Sequence, residues 1–441
     1  MTANHPSHCH PPATNRRGFI YGAAIGLAGG VGLGWQIPKW LQPTAEVAAP
    51  LGQAPLDVPG KTWALPGPYR GKVIEVQHSG VLETEQKEGY TRRNEAVVKS
   101  MVERGMKKLV GSDDATEAWR SFFSAGDRVG IKIVPVGKPD SISSFEVVRQ
   151  VIAGLESAGV RRKDILVFDR YLTEFLACPY PDHLPEGVHY EASSVEYDAL
   201  QVELSGQLAS GDRKEKVTGY DRDIYREIPY CHPEHDPQDD RRYRSHLSHI
   251  IAHSVDKFIS IPVLKDHRSA GITASLKNLS HGSVNNVARS HGSSPDIKPP
   301  LLGSNLNQCG TFIPAIVSLP TIREKAVLQI VDGIVATYEG GPGNWNKTFA
   351  TWPYSSLLFA TDPVAVDRVC WKIIDEQRLK EGWPTVSQMG LDGKTGMREV
   401  NGKLIHESFH MRQPHHIALA ATLGLGEFDL RKIEHHPIKL A

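Results

Sequence analysis

If residues 256–264 (DKFISIPVL) form a strand, apolar side chains lie on both of its faces. This run restricts the fold more than any other segment. A strand exposed on one side would alternate apolar and polar residues. A strand without a polar face belongs in a sheet covered on both sides, which is typical of parallel sheets in α/β proteins. The apolar residues of the run are Phe258, Ile259, Ile261, Val263 and Leu264.

The chain before this run alternates between strand and helix patterns. Residues 72–78, 128–136 and 164–170 have strand patterns, and residues 94–110 and 145–158 have apolar residues at helical spacing. Short links between such elements favour right-handed β-α-β crossovers. We expect an α/β fold with a mostly parallel sheet flanked by helices, an irregular insertion and an N-terminal export signal.

Two helix starts are predicted from capping residues. Ser143 stands three residues before Glu146, which is the spacing of a capping box. Asp362 followed by Pro363 predicts an N-cap and the first position of a helix.

The N-terminal segment predicts an export signal. Arg16 and Arg17 precede an uncharged, weakly apolar run, residues 19–35, which contains six glycines. This arrangement resembles a twin-arginine signal, so the twin-arginine export machinery is an expected partner and the expected location is periplasmic or extracytoplasmic. An uncleaved membrane anchor is the alternative. Residues 1–49 are assigned to signal and linker, and residues 50–441 to one α/β domain.

Composition excludes some classes of function. Lys plus Arg and Asp plus Glu both number 50, so no net charge draws the protein to nucleic acid. Histidine occurs 20 times, which is compatible with metal binding but does not establish it. The five cysteines form no C-x-x-C pair, so we expect no iron–sulfur cluster. Two alternatives remain for these cysteines, which are disulfide bonds and buried free thiols.

Residues 171–244 are irregular and rich in Pro, Asp, His and Arg, and we interpret them as an insertion over the sheet edge. Their last part, residues 231–244, contains C-H-x-x-H, which is not a standard zinc spacing, so a solvated loop is favoured. His246, His249 and His253 follow at helical spacing. Because two isoleucines lie between them, packing or capping is favoured over a three-histidine metal site.

The candidate site begins where the run 256–264 ends. Lys265 and His267 follow it directly, and open α/β sheets place ligands at the carboxyl ends of strands. Side chains two residues apart on an extended chain lie on one side. We predict that both are catalytic, with Lys265 attracting an anion and His267 transferring a proton or binding a metal. A solvated strand exit is the alternative.

Residues further along supply the predicted substrate contacts. Thr273 and Lys277 share a face if their segment is helical, and Asn278 adjoins them. Gly341 and Gly343 allow the backbone to approach an anion closely. An ordinary helix surface is the alternative for the first three.

His281, Asp332 and Asp367 are the predicted metal ligands. Asp332 lies near the end of a predicted strand, and Asp367 lies in the first turns of a predicted helix. With His267, they would offer the nitrogen and oxygen donors that suit a divalent metal ion. An ion pair is the alternative for Asp367.

Three blocks of sequence resemble one known family. They are residues 128–158 including IKIVP, the block PVLKDHRSAGITASLKNLSHG, and VDGIVATYEGGPGN with ATDPVAVD. The blocks are similar to those of the domain-of-unknown-function family 362, over roughly residues 72–378. The resemblance implies an α/β fold and a site around the second block. Some relatives carry ferredoxin-type cysteine clusters, which implies redox partners, but this chain lacks those cysteines.

These features predict an exported protein with a small anionic ligand in a polar strand-end cleft. The leading interpretation is an enzyme, assisted by a metal or a redox group, whose specific reaction the sequence does not define. A non-catalytic periplasmic binding protein and an accessory redox protein are the alternatives, and a visible absorption spectrum would reveal the chromophore of the latter. No G-x-S-x-G elbow or nucleotide-binding glycine motif is present. Membrane contact is expected only through an uncleaved signal.

Overall fold

The computed structural model describes residues 63–87, 89–196, 216–228, 244–287, 290, 309–388, 396–400, 403–407 and 414–441. All of them belong to the compact unit Gly52–Ala441. The predicted signal and linker lie outside the described residues, as does nearly all of the segment 231–244.

The described residues contain sixteen strands and ten α-helices. The strands are β1 (Lys72–His78), β2 (Leu82–Lys87), β3 (Tyr90–Arg93), β4 (Val129–Lys132), β5 (Ile165–Tyr171), β6 (His189–Ser194), β7 (Tyr220–Glu227), β8 (Arg244–Ser248), β9 (Lys257–Ser260), β10 (Val263–His267), β11 (Gly271–Thr273), β12 (Ala326–Glu339), β13 (Ala350–Ala360), β14 (Gly396–Val400), β15 (Lys403–Glu407) and β16 (Glu434–Leu440). The helices are α1 (Glu95–Val110), α2 (Ala115–Arg120), α3 (Phe145–Ser157), α4 (Leu172–Ala177), α5 (Tyr180–His183), α6 (Ser275–His281), α7 (Cys309–Val317), α8 (Pro320–Lys325), α9 (Pro363–Lys380) and α10 (His415–Thr422).

A central sheet dominates the described part of the chain. Its strand order is β16-β1-β13-β12-β9-β4-β5-β6, with β10 and β11 attached beside β12. The pairs β4–β5, β5–β6, β4–β9, β9–β12, β10–β12 and β1–β16 are parallel. Among the described strands of this sheet, antiparallel pairing is confined to β1–β13, β12–β13 and β10–β11. The predicted mostly parallel α/β sheet is confirmed.

Apolar layers cover both faces of the sheet. Phe258 packs in one cluster with residues of α6, α7 and α9, whereas its neighbour Ile259 packs in the other with residues of α1 and α3. Both side chains are fully buried. This is the two-sided burial that the run 256–264 predicts.

The predicted single strand 256–264 is two strands, and this expectation was wrong in detail. β9 and β10 are separated by Ile261 and Pro262, and Pro262 has no amide hydrogen to continue a ladder. Both strands lie parallel to the long β12, at different places along it.

The positions of both predicted helix starts are confirmed, but the predicted capping box at the first is wrong. The Asp362 carboxylate accepts a hydrogen bond from Ala365 N at 2.8 Å, as an N-cap does. At α3 the cap residue is Ser144, whose side chain makes no capping hydrogen bond. Ser143 instead donates from Oγ to the Ile261 carbonyl at 2.6 Å, which ties the helix start to the sheet.

The predicted insertion is partly integrated into the sheet. Within residues 171–244, β6 forms the edge strand parallel to β5, and β7 pairs antiparallel with β8. Among the described residues, Cys178, Cys309 and Cys370 are buried free thiols. No described helix combines the length and the apolar character that crossing a membrane requires.

Candidate functional site

A cleft of about 220 Å³ lies at the carboxyl ends of β4, β5 and β10. Such strand ends are where open α/β sheets hold ligands. Pockets for drug-sized ligands have about 300–1,000 Å³, so this smaller cleft suits a small molecule. Six of the predicted site residues line it: Lys265, His267, Thr273, Lys277, Asn278 and His281.

Lys132, the last residue of β4, is a buried lysine that makes three hydrogen bonds beside the cleft. The Lys132 ammonium donates hydrogen bonds to the Asp169 carboxylate, to the Ile133 carbonyl at 2.8 Å and to Asn278 Oδ1 at 3.1 Å. Asn278 in turn donates from Nδ2 to Ser260 Oγ at 2.9 Å. The Asn278 amide therefore positions Lys132 and joins α6 to β9, in addition to lining the cleft.

This lysine needs a glycine beside it. A Cβ atom on Gly282 would lie 2.3 Å from the Lys132 Cε atom, well inside van der Waals contact. Gly282 follows directly after α6, so the helix can end against the lysine only because this side chain is missing.

Lys265 connects two loops at the cleft. Its ammonium donates hydrogen bonds to the Val136 carbonyl, in the loop after β4, and to the Pro342 carbonyl at 3.1 Å, in the loop after β12. Burial and the neighbouring Lys277 lower the pKa of Lys265 to about 7. Near neutral pH this side chain can therefore both take up and release a proton.

Lys277 is a second buried cation of the cleft. Burial lowers its pKa to about 8, with Arg170 and Lys132 acting in the same direction. No described residue accepts a hydrogen bond from its ammonium, which is a strong donor. An anion in the cleft would supply the missing acceptor.

Two further charged residues come from the end of β5 and from α4. Arg170 donates from Nη1 to the His281 carbonyl at 3.1 Å and stacks over the Tyr171 ring at 4.4 Å. Burial and the neighbouring Asp169 raise the pKa of Glu174 to about 7. The cleft thus combines Glu174 and Lys265, an acid and a base that both titrate near neutral pH.

His267 is fixed in one tautomer by its own turn. Its Nδ1 atom accepts hydrogen bonds from Ser269 N at 2.9 Å and Ala270 N at 3.1 Å. Nδ1 is therefore unprotonated, and in the neutral ring Nε2 carries the hydrogen. This tautomer can donate a hydrogen bond or a proton, but it has no free lone pair on Nε2 for a metal. The geometry favours the predicted proton-transfer role over the predicted metal role.

The three predicted metal ligands are not brought together. His281 has its ring nitrogens at Ser280 Oγ (3.1 Å) and Ser290 Oγ (2.8 Å). Asp332 accepts hydrogen bonds from Ser144 N, at the start of α3, and from Ile334 N in its own strand β12. Asp367 accepts from Ser275 N at 2.7 Å and Leu276 N at 3.0 Å, at the start of α6. The two aspartates act as helix caps supplied by neighbouring elements.

The predicted glycines border the cleft without lining it. Gly341 N donates to the Asp266 carboxylate at 2.7 Å, so this amide already has an anionic partner. A Cβ atom on Gly341 would lie 2.0 Å from the Asp266 carbonyl oxygen, and one on Gly343 would clash with the Trp345 ring. The loop contributes Pro342 and Trp345 to the lining instead.

Four charged lining residues were missed: Lys132, Asp169, Arg170 and Glu174. For three of them, the sequence contains a pattern that indicates a place in the site. Lys132 interrupts an apolar strand, and Asp169 with Arg170 closes the next one, so the strand-end rule applied to Lys265 also applies to them. Glu174 has no comparable pattern, because its place depends on how α4 turns back over the sheet.

A model of the family described as "Domain of unknown function (DUF362)" matches residues 129–372, more than half of the 441 residues. The chain belongs to this family. The match includes all of the lining residues named above, and the family's description states no activity. No curated protein matches the chain by sequence.

Two solved structures show a distant likeness. A crystal structure of a protein from Thermotoga maritima is 11% identical, with a TM-score of 0.33, and the match covers 64% of this chain and 59% of that one. The lactate racemase apoprotein from Thermoanaerobacterium thermosaccharolyticum is 13% identical, with a TM-score of 0.32, and the match covers 68% of this chain and 58% of that one. The chain thus spans less than two thirds of either neighbour. Neither likeness bears on its substrate or chemistry.

Proposed function

We propose that this protein is an enzyme that binds a small anionic molecule in the cleft and transfers a proton to or from it. The observation that carries the proposal is the charge of the lining. Among the described lining residues, four side chains are cationic, Lys132, Arg170, Lys265 and Lys277, and two are acidic, Asp169 and Glu174. Asp169 is paired with Lys132, so this count of the described residues leaves a net positive charge.

The hydrogen-bond donors of the cleft indicate the class of substrate. Lys277 is buried and lacks a described acceptor, and Arg170 presents a planar guanidinium that matches carboxylate or phosphate oxygens. The cleft has room for a molecule of a few carbon atoms bearing such a group. A carboxylate or a small phosphate is therefore the proposed anionic part of the substrate.

The reaction class follows from the groups that titrate. Lys265 as an amine is the proposed base, and Glu174 is the proposed group that shares protons with it, because the pKa of each is about 7. His267, donating from Nε2, would hydrogen-bond the oxygen on which negative charge develops. Lys277 and Arg170 would stabilise the same charge.

Anion affinity is expected to fall as pH rises from about 6 to about 9. An anion favours the protonated lysines, so binding is strongest below the pKa values of Lys265 and Lys277, which are about 7 and about 8. Ionisation of Glu174, with a pKa of about 7, adds a negative charge over the same range and acts in the same direction. Isothermal titration with sulfate, malonate and pyruvate should show a decrease of about 10-fold or more, since a charge-assisted hydrogen bond contributes about 1.5–3 kcal/mol.

The matched variants are Lys277→Met and Lys372→Met. Lys277→Met should weaken binding at pH 6 by about 10-fold or more. Lys372 is an exposed lysine of α9 that pairs with Glu376, so its replacement should leave affinity unchanged. Affinity that is independent of pH, or equally reduced in both variants, would contradict the proposed site.

Export through the twin-arginine pathway is the proposed location of this activity. Its support is the sequence pattern of Arg16 and Arg17 ahead of residues 19–35. In a bacterial host, the full-length protein should be found outside the cytoplasm, and Arg16→Lys/Arg17→Lys should remain in the cytoplasmic fraction. Arg161→Lys/Arg162→Lys, an exposed arginine pair within the fold, is the matched control. Equal export of both variants would contradict the proposal.

A further inference from the structure

We propose that Asp221, His249 and His253 form a binding site for one divalent transition-metal ion of the zinc class. One ligand atom from each side chain lies within 4.8 Å of the other two. Among the described residues, this is the one group of three or more His, Cys, Asp or Glu side chains arranged in this way. None of the three lines the cleft, so the site is separate from the proposed active site.

The local fold brings the two histidines together. His249 precedes the π-helical segment Ile250–Ser254, which contains His253, and side chains four residues apart on a helical turn share one face. Their ring centroids are 5.3 Å apart. Two histidines four residues apart on one face of a helical turn supply two of the ligands in many zinc sites.

The third histidine of the sequence pattern has a different place. His246 is buried, and its Nδ1 lies 3.0 Å from the Asp221 carbonyl oxygen. Packing or capping is the role expected for His246, His249 and His253, and His246 has such a role. His246 supports the backbone at Asp221, while the other two present their rings beside its carboxylate.

The carboxylate is held in place by its own turn. Asp221 Oδ1 accepts hydrogen bonds from Asp223 N at 2.7 Å and Ile224 N at 2.9 Å. This leaves Oδ2 directed at His253 Nε2, at 2.5 Å. Partners of this kind orient metal ligands before the ion arrives. An ion binding here would replace the proton shared between Oδ2 and the ring.

The donor set suits a metal ion. Imidazole nitrogens and a carboxylate oxygen are donors that bind divalent transition metals. Two nitrogens and one oxygen suit zinc, with the fourth position left for water.

The site lies behind one wall of the cleft. β8 is hydrogen-bonded to the segment after α6, through Ser248 N to the Ser283 carbonyl at 2.8 Å and through reciprocal bonds between His246 and Asn285. That segment is flanked by Gly282 and Val287, which line the cleft. A metal joining β7 to the helical turn after β8 would therefore stabilise the support of this wall. Its role would be structural.

The test uses the full-length protein, stripped with a chelator and titrated with Zn²⁺ alone. Wild type should bind one ion tightly and melt at a higher temperature with it, and Co²⁺ in place of Zn²⁺ should give a visible spectrum of mixed nitrogen and oxygen ligation. Asp221→Asn keeps an oxygen for the two amides but loses the charge, and His249→Ala loses a ligand. Both should weaken Zn²⁺ binding by about 10-fold or more and remove the thermal shift.

The matched control is His436→Ala, which removes a half-exposed histidine from β16. It should bind Zn²⁺ like wild type. Unchanged Zn²⁺ affinity in both site variants would show that the ion binds elsewhere on the chain, and absence of tight binding in folded wild-type protein would also overturn the proposal. Circular dichroism of each stripped variant separates loss of the site from loss of the fold.

Discussion

Lys265→Met should slow the exchange of carbon-bound protons of a bound carboxylate with solvent by at least about 100-fold. A positioned general base contributes about 10²–10⁴-fold to rate, and methionine keeps the length of the side chain without its basic nitrogen. In the proposed step, a C–H proton passes to the Lys265 amine and its electron pair stays on the substrate. Lys277 and Arg170 stabilise the resulting charge, and the ammonium returns a solvent-derived proton. Pyruvate and malonate in D₂O, followed by proton NMR, are suitable probes.

Two further variants are needed to interpret the exchange rate of Lys265→Met. Lys372→Met, on the exposed face of α9, should exchange like wild type. His267→Asn keeps an acceptor for the amides of Ser269 and Ala270 but loses Nε2, so it should lose exchange while largely retaining affinity. Wild type that binds these anions without exchange above the buffer rate would contradict the proton-transfer proposal and favour a binding protein.

Arg378→Met should lower the free energy of unfolding by about 3–5 kcal/mol, the usual cost of removing one partner of a buried ion pair. Arg378 of α9 is fully buried and donates from Nη1 to Glu339 Oε2 at 2.5 Å and to the Tyr338 carbonyl at 2.8 Å. The Asp266 carboxylate lies 3.7 Å from the same nitrogen. Without the guanidinium, two buried carboxylates lose their compensating charge. Chemical denaturation followed by circular dichroism measures the loss.

The control for this prediction is an exposed arginine with a similar partner. Arg431 is paired with Asp429 at 2.7 Å, but its side chain is 90% exposed. Water screens surface ion pairs and both side chains lose freedom on pairing, so Arg431→Met should have little effect on unfolding. Equal losses in the two variants would show that burial does not set the strength of the Arg378 interactions.

The sequence predicted the class of sheet because the signal is local. Phe258 and Ile259 adjoin each other and are both apolar, which requires cover on both faces wherever the strand lies in the sheet. The strand end at Lys265 and His267 could be located for the same reason. The break at Pro262 also has a local signal, because proline has no amide hydrogen to continue a ladder.

The remaining parts of the site depend on contacts between distant segments. Asp169 meets Lys132 only because β4 and β5 are neighbours in the sheet, and Asp221 meets His253 only because β7 folds back onto β8. No spacing within one segment encodes either contact. The same holds for Asp332 and Asp367, which looked like metal ligands at element ends but cap α3 and α6 from other elements.

The two carbonyl groups that hold Lys265 can keep their hydrogen bonds when its protonation state changes. An ammonium has three N–H groups and an amine has two, so either form can satisfy the Val136 and Pro342 carbonyls at once. The loops after β4 and β12 therefore need not move when the proton leaves. Only the third position on the nitrogen alternates between a hydrogen and a lone pair. Proton transfer at Lys265 would therefore require no rearrangement of these two loops.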